Sequence, residues 1–239
     1  RFDEASNIDW AKKMQEAGIR VIFGVKGLKV HAKLTHIGSS RGDIACVSTG
    51  NFHEGNARTY TDVALLTADR RLTREVERVF EFIRQPARPF AFDHLVVSPR
   101  DMRRKLNALI ADEARRARQG EEAYILAKVN HITDAKLIRR LYAAAAVGVR
   151  LRLLVRGNCS IVASAHDRGR IEIRGIIDRY LEHSRILIFG HGGDERIYIG
   201  SADWMTRNLD NRVEAYAPVY DEAVRRELRR IVDEGLADN

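Results

Sequence analysis

Two stretches of equal length decide the fold. Residues 31–62 read HAKLTHIGSSRGDIACVSTGNFHEGNARTYTD, and residues 183–214 read HSRILIFGHGGDERIYIGSADWMTRNLDNRVE. Chemically matched residues fall in register at a constant offset of 152 positions, without a gap. The matched pairs are His31/His183, Lys33/Arg185, Val47/Ile199, Thr49/Ser201, Asn51/Asp203, Phe52/Trp204, Asn56/Asn208 and Asp62/Glu214. Such a duplication predicts that each copy forms the same structural unit.

A fainter repeat precedes each copy. Residues 17–21 (AGIRV) match residues 147–151 (VGVRL) at an offset of 130 positions. In both places, apolar residues at helical spacing lead to a glycine that ends the helix and then to a short apolar run. This pattern predicts a helix followed by a strand, with the strands at 19–23 and 150–155. The change of offset from 130 to 152 implies about 22 additional residues within 156–182.

The remaining pattern predicts an α/β protein. Helices are expected over 8–17, 69–84, 135–146 and 221–236, and short apolar or alternating runs at 31–37, 43–48 and 60–66 predict strands. Pro86, Pro89 and Pro99 mark a boundary between the halves. We therefore predict two tandem α/β domains, residues 1–90 and 91–239, each a mixed sheet flanked by helices.

Composition restricts the class of protein. The 239 residues are 45% hydrophobic, which is enough to form hydrophobic cores. The sequence has no run of 18 apolar residues, so no membrane-spanning helix is predicted. Cys46 and Cys159 show neither disulfide nor zinc spacing, so we expect reduced thiols in a cytoplasmic protein. The start, RFDE, has no initiator Met and no signal peptide, which suggests a cut inside a longer protein. The net charge of +8 favours an anionic partner.

The repeated histidines predict phosphate chemistry. Residues i and i+2 of a strand project to one face, so His31 is expected to share a face with Lys33, and His183 with Arg185. A neutral imidazole can attack phosphorus, and fixed cations can stabilise the charge on the phosphoryl oxygens. We expect further hydrogen-bond donors from Thr49, Asn51 and Ser201.

Each copy also carries an acid 31 positions after its histidine, Asp62 in the first and Glu214 in the second. A carboxylate on one imidazole nitrogen sets the tautomer and basicity of the other nitrogen. We predict that Asp62 orients His31 and that Glu214 orients His183. The swapped pairing, across the interface between the halves, also fits the sequence.

Longer strings resemble known proteins. The paired His-x-basic pattern is similar to the phospholipase D superfamily, whose members join two such halves around one phosphate. GLKVHAKL (27–34), STGNFHEGNARTYTDVALLTAD (48–69), LLVRGNCS (153–160), DRYLEHSRILIFGHGGD (178–194) and SADWMTRNLDNRVE (201–214) resemble the two C-terminal catalytic domains of the polyphosphate kinase family. The resemblance covers essentially the whole chain.

That resemblance implies an activity and residue roles. It implies transfer of the terminal phosphoryl group of ATP to polyphosphate, reversibly, through a phosphohistidine on His31. His183 would line the nucleotide phosphates and protonate the leaving oxygen, Tyr60 would contact the nucleotide, and Arg156 would bind ATP phosphate. Arg1 would bind the phosphates that carry Mg²⁺, the implied cofactor.

The resemblance also implies partners and context. ATP or ADP and inorganic polyphosphate are the expected partners, and no nucleic acid is expected. The N-terminal and head domains of the family are not in this sequence. We expect the longer protein to be a homo-oligomer, a dimer or tetramer, in the cytoplasm, with peripheral association with membranes as a further expectation.

Two rival functions use the same residues. The first is a phosphodiesterase or nuclease of the phospholipase D type, in which water resolves the phosphohistidine. The second is an anion-binding module without turnover, for which the basic charge would suffice. Tyr60 and Arg156 favour a nucleotide over a diester, and retention of both histidine motifs and both acids argues against a module without chemistry.

Overall fold

The computed structural model describes residues 2–164 and 169–238. Its helices are α1 (Phe2–Glu16), α2 (Glu54–Thr59), α3 (Arg70–Arg84), α4 (Met102–Arg118), α5 (Ala135–Ala146), α6 (Thr206–Asp210) and α7 (Glu222–Ala237). Its strands are β1 (Lys29–Val30), β2 (Lys33–Ile37), β3 (Ile44–Ser48), β4 (Tyr60–Thr61), β5 (Ala64–Thr67), β6 (Val96–Ser98), β7 (Tyr124–Val129), β8 (Arg150–Val155), β9 (Ile171–Arg174), β10 (Leu181–Glu182), β11 (Ile186–Phe189), β12 (Arg196–Gly200) and β13 (Arg212–Pro218).

The second half builds a large mixed sheet. Its strand order is β1-β13-β12-β11-β7-β8-β9, and β6 also pairs with β13. The pairs β7/β8 and β8/β9 are parallel, and α5 connects β7 to β8, as the right-handed β-α-β rule leads one to expect. On one face, α4 and α5 pack against apolar side chains of β7 and β8 in a continuous core. On the other face, α7 packs against Leu126 and Ile188.

The first half repeats part of this unit. Its own sheet is three-stranded and antiparallel, in the order β2-β3-β5. Strands β2 and β3 and helix α3 occupy the positions of β11, β12 and α7, because their residues correspond at the same offset of 152. The helix caps correspond as well: the Asp69 carboxylate accepts from the Arg71 N–H, and the Asp221 carboxylate accepts from the Val224 N–H.

The two halves exchange short strands. β1 of the first half pairs in parallel with β13, and β10 of the second half pairs in parallel with β4. Lys29 lies opposite Arg212, and Tyr60 lies opposite Leu181. Lys29 and Leu181 are 152 positions apart, and so are Tyr60 and Arg212, so the two exchanges are equivalent. One apolar core accordingly contains Val47 and Val79 of the first half together with Val213 of the second. The exchange holds each histidine motif against the opposite half.

Most expectations for the fold are confirmed. The protein is α/β, with helices packed on its sheets, and helices form in all four segments where periodicity predicted them. The strand predicted at 19–23 is wrong: these residues pair with no described strand, and Ile22 and Phe23 are exposed. A strand needs a neighbour, and the described residues place none beside this segment. The division at residues 90 and 91 stays a prediction.

None of the described helices is both long enough and apolar enough to cross a membrane.

Candidate active site

His31 lies immediately after β1, held by the opposite half. Its backbone N–H donates to the Val213 carbonyl at 2.9 Å, and its Nδ1 lies 2.9 Å from Glu214 Oε2. Glu214 is fully buried and also accepts hydrogen bonds from the Ser201 hydroxyl and, at 2.7 Å, from Asn208 Nδ2. A carboxylate only accepts hydrogen bonds, so the contact with Glu214 selects the Nδ1–H tautomer of a neutral His31 ring and leaves Nε2 with its lone pair.

His183 repeats this arrangement after β10. Its backbone N–H donates to the Thr61 carbonyl at 3.2 Å, and its Nδ1 lies 2.9 Å from both carboxylate oxygens of Asp62. Burial lowers the pKa of His183 and outweighs the opposing effect of the hydrogen bond that its ring donates to Asp62. The nearby charge of Arg185 adds to the lowering. Burial alone would raise the pKa of Asp62, but hydrogen bonds from His183 and Thr49 bring it below its usual value. The imidazole is therefore neutral at neutral pH.

The predicted pairing of acids and histidines is wrong. Asp62 contacts His183, and Glu214 contacts His31, so each acid serves the histidine of the other half. The reason is the strand exchange: β4 leads directly into Asp62 and pairs with β10, which leads into His183. The swapped alternative left open by the sequence is the one that the fold selects.

Two buried cations accompany the histidines. Lys33 Nζ donates to the His31 carbonyl at 2.7 Å, and Arg185 Nη1 donates to the His183 carbonyl at 2.8 Å. Arg185 also donates to the Thr49 carbonyl of the first half at 3.1 Å and lies 3.3 Å from Asp203. These contacts, and the electrostatic effect of Arg185 and Asp62 on Lys33, place the two histidine motifs side by side in one site, which we call the histidine pocket.

Burial dominates the electrostatics of Lys33. It lowers the pKa of the Lys33 ammonium to about 8, Glu214 opposes this shift, and Arg185 adds to it. Repulsion between the two cations is expected when they face one site, since each lies within range of the other in a medium of low dielectric constant. An anion bound between them would relieve that repulsion.

Tyr60 and Arg156 lie on the His183 side of the pocket. The Tyr60 ring centroid is 5.0 Å from that of His183, with the planes tilted by 53°. Arg156 Nε donates to Asn130 Oδ1 at 2.6 Å. Burial lowers the pKa of Arg156, and the charge of Arg185 lowers it further, so the two guanidinium groups lie close enough to interact.

The roles expected for two of the three predicted hydrogen-bond donors change. The Thr49 hydroxyl donates to Asp62 at 2.6 Å, and the Ser201 hydroxyl donates to Glu214. A hydroxyl has one proton, so these residues hold the acids and do not serve as free donors to phosphate. Asn51 is exposed, and its place in binding stays a prediction. Arg1 lies outside the described residues.

Three residues of the site were not predicted as such. Asp203 accepts from Arg185 and from the backbone N–H of Asn130, and Asn208 donates to Glu214. Asp203 and Asn208 are members of matched pairs in the internal repeat, which could have identified them. Asn130, at the end of β7, is 1% exposed and holds Arg156, yet it has no counterpart in the sequence of the first half.

Within the described ranges, two groups of side chains have the spacing of metal ligands, His36 with Asp43 and Glu77, and Asp112 with Glu113 and His191. Neither includes a residue of the histidine pocket. The carboxylates of that pocket, Asp62, Asp203 and Glu214, already hold histidine or arginine groups. The pocket therefore suits a metal that arrives with a polyanion better than one bound by a cage of protein carboxylates.

Comparison with known proteins identifies the family. Sequence models of polyphosphate kinase C-terminal domain 1 and domain 2 match residues 1–89 and 95–239. The chain is 48% identical to a polyphosphate kinase of Salmonella typhimurium, over 98% of this chain and 35% of that relative. It is 47% identical to a polyphosphate kinase of Vibrio cholerae, over 98% of this chain and 34% of that relative. The crystal structure of polyphosphate kinase from Porphyromonas gingivalis matches with a TM-score of 0.89 and 38% identity, over 98% of this chain and 37% of that chain. The chain spans about a third of the length of the curated relatives it matches, and it belongs to the polyphosphate kinase family.

Proposed function

We propose that this chain carries the phosphoryl-transfer centre of a polyphosphate kinase, which moves a phosphoryl group between ATP and polyphosphate through a phosphohistidine on His31. The observation that carries the proposal is the crossed arrangement of the pocket. Two imidazoles from separate halves each have Nδ1 held by a carboxylate of the opposite half, with a buried cation beside each of them. Such a site is preorganised for a multiply charged phosphate.

His31 is the proposed nucleophile. Its Nε2 lone pair attacks the terminal phosphorus, an N–P bond forms, and the bond from phosphorus to the bridging oxygen breaks, so that ADP or a shortened polyphosphate leaves. Glu214 holds the Nδ1 proton and stabilises the positive charge that the ring acquires. The second step reverses the first: a terminal oxygen of the acceptor attacks the phosphorus, and His31 is regenerated.

His183 is proposed to line the phosphates and to protonate the leaving oxygen. In the substrate-free pocket, burial favours its neutral form, which has no proton to give from Nε2. The negative charge of bound phosphates raises the pKa of a nearby imidazole, so the proposed role depends on substrate being present. Lys33 and Arg185 would stabilise the charge that spreads over the equatorial oxygens.

The nucleotide is proposed to bind on the His183 side. Tyr60 offers an aromatic face for the base, and Arg156 offers a guanidinium group for a phosphate. Mg²⁺ would arrive with the nucleotide and neutralise part of the phosphate charge, because the pocket carboxylates are already engaged. For the whole protein we also propose a cytoplasmic homo-oligomer that associates peripherally with membranes.

Intact mass spectrometry tests this proposal. We expect incubation with Mg²⁺ and either ATP or polyphosphate to give a single acid-labile phosphoryl adduct, with no hydrolysis of a model phosphodiester. The measurement should be made on this chain and on a longer form that matches the relatives' length. Diester hydrolysis without an adduct from ATP would favour the phosphodiesterase. Binding without either reaction in both forms would favour the anion-binding module.

The pKa of Lys33 predicts an alkaline limit. We expect kcat/KM for phosphoryl uptake to fall as pH rises through about 8, because the free protein then loses the ammonium charge of Lys33. Lys33→Arg should move this limit to higher pH, since guanidinium stays protonated. The same residue affects folding in the opposite sense. Its pKa is lower in the folded chain, so the penalty that its charge imposes on folding shrinks as pH rises from about 8 to its ordinary pKa of 10.5. A limit that stays unmoved in Lys33→Arg would contradict the assignment.

A further inference from the structure

An open groove lies in the first half, away from the histidine pocket. One wall is formed by Arg20, Ile22 and Gly24, and the other by Val30 and His36; the floor is formed by side chains of α3, namely Glu77, Phe80, Ile83 and Arg84. The groove encloses about 620 Å³. It lies between segment 19–23 and strand β2, and we call it the α3 groove.

The internal repeat shows what occupies the same place in the second half. There, β7 lies between β11 and β8, antiparallel to β11 and parallel to β8. Strand β11 corresponds to β2, and β8 corresponds to segment 19–23. In the first half, no strand of the described residues lies between β2 and that segment.

Part of the groove lining corresponds to the residues that surround β7. Four lining positions, Gly24, His36, Phe80 and Arg84, correspond through the two offsets to Leu154, Ile188, Val232 and Leu236. In the second half these four residues form one buried cluster around Leu126 of β7. The α3 groove is thus the place where the side chain equivalent to Leu126 would pack.

Apolar side chains on the side of the groove away from α3 are also more exposed than their counterparts in the second half. Ile8 of α1 is 49% exposed, whereas its counterpart Ile138 of α5 is 7% exposed. Phe23 is 73% exposed, whereas its counterpart Leu153 in β8 is fully buried. In the second half, residues of β7 and α4 belong to the core cluster that contains Ile138 and Leu153. Apolar residues that are exposed here but buried at the equivalent positions of the second half indicate a surface that another segment covers.

We propose that the α3 groove receives a β-strand from the residues that directly precede Arg1 in a longer form of this protein. The strand would be about as long as β7, which has six residues, and would run antiparallel to β2 and parallel to segment 19–23. Connectivity supports this occupant: β7 is joined by a short loop to α5, and a strand placed in the groove would reach α1 in the same way. Alternate side chains would face α3 and α1.

The proposal has a consequence for the histidine pocket but does not rest on its chemistry. Segment 19–23 leads into β1 and then His31, so the added strand would hold the chain on which the nucleophile sits. It would turn the three-stranded sheet of the first half into a mixed sheet like that of the second.

Hydrogen exchange tests the occupant. The 239-residue chain is compared with a chain extended upstream by its own natural sequence, about 20 residues, enough for a strand and its connections. We expect amide exchange in 19–23 and in β2 to be at least about 10-fold slower in the extended chain than in the 239-residue chain, since ladder hydrogen bonds protect amides. The amides of the added segment should be protected for the same reason. The amides of β8 and β11 serve as the internal control and should not change. Unchanged exchange in 19–23 and β2 would overturn the proposal.

A matched pair of variants locates the contact. Phe80→Asp places a charge in the α3 groove, and Ile177→Asp places one at a side chain that is 96% exposed. In the extended chain, Phe80→Asp should abolish the added protection, and Ile177→Asp should leave it intact. Protection of 19–23 that appears in the unextended chain with rising concentration, together with dimer formation, would instead assign the groove to a second copy. These readouts are independent of phosphoryl transfer, so either proposal can fail alone.

Discussion

Replacing His31 with alanine should abolish formation of the acid-labile phosphoryl adduct, a loss of about 10³-fold or more. The reason is that no other side chain in the pocket can take over as nucleophile. Nε2 of His183 lies 3.1 Å from Arg185 Nη1, and this neighbouring cation disfavours the positive charge that the His183 ring would acquire if it attacked phosphorus. The adduct is measured by intact mass before and after mild acid, with Mg²⁺ and ATP or polyphosphate as donor.

A control histidine makes this result specific. His53 is exposed and caps the short helix α2, so His53→Ala should keep the adduct. His183→Ala should slow the reaction with ATP while leaving His31 available for phosphorylation. The fold should survive in His31→Ala, because Ser201 and Asn208 still hold Glu214. An adduct of normal yield in His31→Ala would refute the assignment of the nucleophile.

Neutralising the two acids should affect opposite histidines. Glu214→Gln should slow adduct formation by about 10²- to 10⁴-fold, because the amide can donate to Nδ1 of His31 and favour the tautomer in which Nε2 carries the proton. Asp62→Asn should instead change His183 and affect the reaction with ATP. The crossed contacts seen here require this assignment; pairing within each half would reverse it.

Nitrogen-15 NMR of the histidine rings measures this directly. Glu214→Gln should shift the ring nitrogens of His31 and leave those of His183, whereas Asp62→Asn should do the reverse. A merely structural role for the acids would lower stability without changing one specific ring. Glu214 is fully buried, so its replacement should also cost about 1–3 kcal/mol of unfolding free energy. Shifts in the histidine of the same half would contradict the crossed arrangement.

The burial of Lys33 illustrates a different limit of sequence reasoning. Its position two residues after His31 predicted a cation beside the histidine, and Lys33 Nζ donates to the His31 carbonyl at 2.7 Å. Nothing in the sequence predicted that burial would bring its pKa to about 8, because that value depends on neighbours from both halves. Proximity along the chain is a local property, whereas desolvation is a tertiary one.

The sequence by itself determined the repeated unit and its chemistry. Local periodicity predicted the helices, because a helix is held by hydrogen bonds between residues near in sequence. The offset of 152 positions identified both histidines, both cations and both acids, because duplicated units retain the same residues at equivalent points.

Only the tertiary structure decided how these residues combine. The exchange of β1 and β10 between the halves gave each histidine the acid of the other half, and no spacing within one copy carries that information. It also engaged the hydroxyls of Thr49 and Ser201 with those acids. Segment 19–23 has the composition of a strand but forms no ladder, because a strand exists only where a neighbour supplies its hydrogen bonds. Strand pairing is a long-range contact, and long-range contacts are set by the whole fold.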